Sequence, residues 1–240
     1  MNLIVDIGNT STKLAIYENG KKVSSTRIGD LSCEELESVL SGLKIQSAIL
    51  SSVKKLPPYI TDLLFSKIPL VHVLSYKSKL PFKIEYETPE TLGSDRIAAV
   101  AGASQQFPGV DILVIDAGTA LTFDYLLSGK FGGGNISPGL TMRFKALNTF
   151  TDNLPLIELS NNYSFPGHTT QDAILAGVIT GVTYEINEYI RTFKKKHTDS
   201  KIILAGGDSS YFKDKINFRI TYSPDIVIDG LNYILDYNAT

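Results

Sequence analysis

Hydrophobic positions recur along this chain in two patterns. Short continuous apolar runs alternate with stretches where apolar residues return every three or four positions, as in an α/β fold. Asn2 to Thr10 reads as an apolar strand ending in a carboxylate and a glycine turn. Leu14 to Tyr17 is a second strand, Asn19-Gly20 offers a hairpin turn, and Lys22 to Ile28 completes a meander. Ser32-Cys33-Glu34-Glu35 has the form of a capping box, after which Leu36, Val39, Leu40 and Leu43 fall on one helical face. Ile45 to Val53 reads as a buried strand, Pro57-Pro58 opens a helix through Phe65, and Leu70 to Leu74 is a short strand. The predicted order is βββαβαβ.

Residues 77–96 break this pattern as a polar, proline-bearing loop that runs into a small-residue helix, Ile97 to Gln105. Asp95 and Arg96 fall at the helix start. An aspartate there is ordinary as a cap or dipole partner. An arginine adds positive charge to a positive end, which hints at a bound anion. Ile112 to Ile115 and Thr122 to Leu127 are predicted strands, turned at Ser128-Gly129. Gly132 to Gly134 precede a further strand, and Pro138-Gly139 opens a helix through Leu147. Residues 148–168 read as a loop over the site or at a subunit contact. Thr169 to Asp172 caps the longest helix, to about Lys196, where Gly177 and Gly181 suggest close packing of another helix. Lys201 to Ala205 is a core strand ending in Gly206-Gly207, and Asp225 to Tyr237 is a closing helix with Gly230 inside it.

The carboxylate and glycine turn at the N-terminus occurs twice. Val5 to Thr12 reads V-D-I-G-N-T-S-T and Ile115 to Thr122 reads I-D-A-G-T-A-L-T, matching Asp6 with Asp116, Gly8 with Gly118 and Thr12 with Thr122. A single D-x-G-x-T is an ordinary surface turn more often than a site. Two copies, each after an apolar strand and about half the chain apart, point to a duplicated α/β domain whose halves face each other across a phosphate site. In each turn a glycine admits close backbone approach, and hydroxyls and N–H groups can point at phosphate. In the first copy Thr10, Ser11, Thr12 and Lys13 supply such donors, and Asp6 can hold magnesium directly or through water.

Composition narrows the partners. A net charge of −2 gives no global electrostatic case for nucleic acid or an anionic membrane. No apolar run approaches a membrane span, and no basic stretch leads an apolar core at the N-terminus. The one cysteine, Cys33, cannot form an internal disulfide, which fits a reducing compartment, so a cytoplasmic protein is expected. The histidines, His72, His168 and His197, show no metal spacing.

Several stretches together resemble the type III pantothenate kinases: Asp6-Ile7-Gly8-Asn9-Thr10, Gly93-Ser94-Asp95-Arg96, Asp116-Ala117-Gly118-Thr119-Ala120-Leu121-Thr122, Gly133 to Gly139, and Thr170 before Ala173 and Gly177. The likeness covers essentially the whole chain. Ser94 stands where many relatives have alanine. Gly206-Gly207-Asp208 looks like the family's adenosine-side turn.

The resemblance implies duplicated actin-like, ribonuclease H-like domains, each a mixed sheet flanked by helices, with the site in the cleft between them and halves at residues 1–110 and 111–240. It implies ATP-dependent phosphorylation of pantothenate, the first step to coenzyme A. On that reading Asp6, Ile7, Gly8, Asn9, Thr10, Ser11, Thr12, Lys13 and Thr119 bind ATP, with Asp6 near Mg²⁺ through water. Asp95 is the general base. Tyr86, Gly93, Ser94, Asp95, Arg96 and Thr170 bind pantothenate. Asp116 binds a monovalent cation, K⁺ or NH₄⁺, and the enzyme is a homodimer. Two alternatives stand beside it: another small-molecule kinase of the same superfamily, and a non-catalytic regulatory relative.

Overall fold

The computed structural model describes residues 1–239. The chain forms two compact units. The first takes residues 1–109, 129–132 and the chain from 225 onward; the second takes residues 110–128 and 133–224.

The first unit is built on a five-stranded sheet of order β3-β2-β1-β4-β5, from β1 (Asn2–Ile7), β2 (Thr12–Glu18), β3 (Lys21–Ile28), β4 (Ser47–Ser52) and β5 (Leu70–Val73). β1 runs antiparallel to β2 and parallel to β4, so the sheet is mixed. Leu3, Ile4 and Val5 are all fully buried, as expected of a central strand covered on both faces. One face packs Leu3, Val5, Leu14 and Ile16 against Leu36 of α1 (Cys33–Leu40) and Ile60 and Leu64 of α2 (Pro58–Lys67). The capping box forms at Ser32 and Glu35. A two-residue strand, β6 (Lys83–Ile84), and a 3₁₀ turn at Pro89–Thr91 precede α3 (Ser94–Gln106).

Helix α3 packs on the last helix, α6 (Ile226–Ala239). Their backbones touch: a Cβ on Gly102 would meet the Ile226 carbonyl, and one on Gly230 would meet the Ala98 carbonyl. Ala98, Ala99, Ala101 and Ala103 of α3 are also buried, and Ala98 lies at this contact.

The second unit repeats the plan with β7 (Ile112–Ala117), β8 (Ala120–Leu127), β9 (Lys130–Pro138), β10 (Lys201–Ala205) and β11 (Thr221–Tyr222), ordered β11-β10-β7-β8-β9. β7 is antiparallel to β8 and parallel to β10. The long helix α5 (Thr170–Lys196), capped by Thr169, buries Ile174, Val178, Val182 and Ile186 against Leu113, Ile115 and Phe123. α4 (Leu140–Thr149) adds Leu140 and Phe144 to that core. The first three residues of β9, Lys130 to Gly132, lie in the first unit, where β6 pairs with Lys130 and Phe131. The turns from β2 to β3 and from β8 to β9 each use a left-handed pair, Asn19 and Gly20 at φ 51 and 74, and Ser128 and Gly129 at φ 49 and 73.

Several sequence expectations shift. α3 begins at Ser94, so Asp95 and Arg96 lie inside its first turn. α1 ends at Leu40, which leaves Leu43 beyond it and exposed. Gly132 to Gly134 lie inside β9. Among the described residues, Gly177 and Gly181 face open space: a Cβ on either would meet no atom of another element within 4 Å. The repeat is also out of step. Asp6 pairs across its hairpin with Lys13, whereas Asp116 pairs with Thr122, so Thr12 and Thr122 are not equivalent in space. The first turn holds one more residue: Gly8 N–H closes on the Ser11 carbonyl, but Gly118 N–H closes on that of Ala120.

Candidate active site

In the first unit, Asp6 is the penultimate residue of β1, partly buried. The Ser51 hydroxyl, at the parallel position on β4, donates to Asp6 Oδ1 at 3.0 Å. Ser51 Oγ also lies 3.0 Å from Ser94 Oγ, and Ser94 donates to the Ser52 carbonyl at 3.1 Å. This chain of hydroxyls ties the first turn to the start of α3. Burial pushes the Asp6 carboxyl up to about 6, against the pull of Ser51; the Asp95 charge raises it further and Lys13 lowers it.

Asp95 lies in the first turn of α3, accepting the Arg96 N–H at 2.8 Å. Burial raises its carboxyl above the ordinary range, opposed by that hydrogen bond and the Arg96 charge. A carboxyl so placed takes up a proton more readily than an exposed one, as a general base requires. Gly93 leaves the room: a Cβ there would sit 2.5 Å from Asp95 Oδ1.

Arg96 is 6% exposed. Its guanidinium carbon lies 5.9 Å from the Tyr86 ring centre and 5.7 Å from that of Phe131. Sequence reasoning named Tyr86 and not Phe131. Nothing in the local pattern around Phe131 signals a site, because it reaches Arg96 only through the pairing of Ile84 with Phe131. Lys13 Nζ lies 3.6 Å from Asp225 Oδ1. Asn9 and Thr10 are exposed in the turn.

The second unit gathers Asp116, Thr119, Gly139 and Gly206. A Cβ on Gly139 would meet the Gly118 and Thr119 carbonyls, and Gly206, at φ +92, is packed against Asp116 Oδ1 and the Ala117 carbonyl. The Asp208 N–H donates to that Ala117 carbonyl at 2.8 Å. The glycine turn after β10 is therefore fixed by close approach to the end of β7. Thr122 donates to the fully buried Asp124 at 3.2 Å. Thr119 and Thr170 are both exposed, Thr170 as the first residue of α5.

Among the described residues, no three His, Cys, Asp or Glu side chains come together to hold a metal ion. A cation here would take one carboxylate from the chain and its remaining ligands from phosphate, water or backbone oxygen. Oxygen donors of that kind suit a hard cation such as Mg²⁺. No helix among the described residues is long and apolar enough to cross a membrane.

The fold is shared with a ROK family glucokinase from Streptomyces griseus, solved in complex with glucose and AMPPNP, at a TM-score of 0.57, 12% identity and 99% coverage of each chain. Curated relatives are closer. A type III pantothenate kinase of Bacteroides fragilis strain YCH46 is 44% identical over 99% of this chain and 98% of its own length. One from Cytophaga hutchinsonii is 36% identical over the whole of both. The family model for type III pantothenate kinase matches residues 2–192, and with these relatives it shows that the chain belongs to the type III pantothenate kinase family.

Proposed function

We propose that this chain transfers the γ-phosphoryl group of ATP to the primary hydroxyl of pantothenate, giving 4'-phosphopantothenate and ADP, the first step of coenzyme A biosynthesis. The observation that carries the reading within the molecule is the first turn of α3. There a carboxyl raised by burial, Asp95, directly precedes an arginine set against two aromatic rings. One residue suits the substrate hydroxyl and the next a carboxylate.

Asp95 accepts the hydroxyl proton as the oxygen attacks the γ-phosphorus and the bond to the β-phosphate oxygen breaks. Arg96, with Gly93, Ser94 and Tyr86, binds the carboxylate and amide end of pantothenate, and Thr170 belongs to the same site. The turn from Asp6 to Lys13 presents N–H groups, hydroxyls and the Lys13 ammonium to the ATP phosphates, and Thr119 contributes from the second hairpin. Asp6 would hold Mg²⁺ through water, and the ion would supply charge neutralisation at the phosphates. Asp116 would hold K⁺ or NH₄⁺. The duplication reads as halves 1–110 and 111–240, each supplying one phosphate hairpin.

The enzyme works as a cytoplasmic homodimer. Support for self-association comes from α5, where Gly177 and Gly181 leave their face open and Tyr184 is 64% exposed, with Met142 and Phe150 of the α4 segment also exposed.

The test is ADP release with pantothenate against a panel of sugars and acetate. Turnover specific to pantothenate is expected. Equal or better turnover with a sugar would move the chain to another kinase activity, and none with any acceptor would make it a non-catalytic relative.

A further inference from the structure

We infer that Phe131 is a positioning residue for pantothenate recognition: with Tyr86 it forms an aromatic corner that sets the direction of the Arg96 guanidinium. The inference rests on the proposed role of Arg96 toward the substrate carboxylate.

Three distances define the corner. The Arg96 guanidinium carbon is 5.9 Å from the Tyr86 ring and 5.7 Å from the Phe131 ring, and the two rings lie 6.1 Å apart with planes 67° apart. The three groups thus form a nearly equilateral triangle. The arginine nests in the angle between two edge-to-face rings and is not sandwiched between them. A guanidinium is weakly hydrated on its faces and carries its N–H donors in its plane. Aromatic rings attract the cation through their π-faces, while the in-plane donors keep the fork geometry that matches a carboxylate.

Each ring is held by backbone. Ile84 pairs with Phe131, and the Glu85 N–H donates to the Phe131 carbonyl at 3.0 Å. The Lys83 N–H donates to Gly129 at 3.2 Å, and Lys130 forms an ion pair with Glu85 at 2.6 Å. This short ladder joins the segment carrying Tyr86 to the strand carrying Phe131. Phe131 is fully buried and has no polar atom. Its effect on a polar substrate therefore passes through Arg96. An arginine ordered before substrate arrives loses less side-chain freedom on binding.

The test is a double-mutant cycle on Phe131→Leu and Arg96→Ala, read as KM for each substrate, kcat, and pantothenate Kd by calorimetry, with circular dichroism as the check on folding. Phe131→Leu keeps an apolar side chain and removes the ring. It is expected to raise KM and Kd for pantothenate roughly tenfold, with KM for ATP little changed. In the Arg96→Ala background, the same substitution is expected to add almost nothing. If Arg96→Ala weakens pantothenate but Phe131→Leu does not, Phe131 is core packing only and the inference fails while the reading of Arg96 stands. Independent, additive effects also overturn it. An unchanged pantothenate Kd in Arg96→Ala defeats the reading of Arg96 itself. Should Phe131→Leu lose its fold, Phe131→Met, closer in volume, carries the same cycle.

Discussion

The two hairpins share a strand, an aspartate, a glycine and a tight turn, yet they surround their aspartates differently. Asp6 faces Lys13 across its hairpin, receives a hydroxyl from Ser51 on the neighbouring strand, and feels the charge of Asp95. Asp116 faces Thr122 and is packed against the backbone of Gly206. One extra residue in the first turn moves a lysine to the place where the second hairpin has a threonine. Duplication thus preserved the backbone path, and a one-residue change in the turn altered which side chain meets the carboxylate. The first hairpin sits among groups suited to proton and phosphate chemistry; the second is shaped by close backbone packing.

Asp95→Asn is the most severe test of that division. Loss of a general base typically slows turnover by about 10²- to 10⁴-fold. We expect that fall in kcat with both substrates still bound by calorimetry. A near-normal kcat would remove Asp95 from the chemistry and leave the first unit no more reactive than the second.

The Asp6 carboxyl gives the next largest effect, on stability. It holds its proton up to about pH 6 in the folded chain. In the unfolded chain an aspartate lets go near pH 3.9, so the folded state binds more protons between those values. Stability of the nucleotide-free protein should therefore fall as pH rises through that window and stay lower above it. The Asp6 contribution is on the order of 3 kcal/mol. Urea midpoints at pH 4.5 and 7.5 should show this drop in wild type and a smaller one in Asp6→Asn. Identical profiles would mean that solvent reaches Asp6 more fully than its surroundings indicate.

Asp116→Asn separates the hairpins by cation. Activity in Mg²⁺-ATP is expected to rise when KCl or NH₄Cl replaces NaCl at fixed ionic strength. Asp116→Asn should lose most of that response and roughly tenfold in ATP affinity, since contacts to a charged group are the strong ones. Equal wild-type activity in both salts would give Asp116 another role. Lys13→Thr, which makes the first hairpin resemble the second, should have the smallest effect. Lys13 is shared with Asp225 and partly solvated, so a rise of about fivefold in KM for ATP is expected, with KM for pantothenate unchanged. A larger rise for pantothenate would place Lys13 on the other substrate.

Much of this was legible in one dimension. The continuous apolar runs, the capping box at Ser32 and Thr169 before the long helix determined most elements. Local physics governs them: burial of an apolar strand, satisfaction of free N–H groups at a helix start, and left-handed backbone at Asn19-Gly20. The repeated D-x-G pointed to a duplicated α/β protein with two strand-turn-strand units built alike. What the tertiary structure alone decided are relations between distant segments. The pairing register that sets Lys13 against Asp6 depends on how many residues the turn closes over. Ser51 reaches Asp6 because β4 is parallel to β1. Phe131 reaches Arg96 because β6 adds to the start of β9. Helices α3, near the middle of the chain, and α6, at its end, meet at Gly102 and Gly230. A sequence pattern reports which face of its own element a residue occupies; which distant side chain lies opposite is fixed only when the sheets and helices pack.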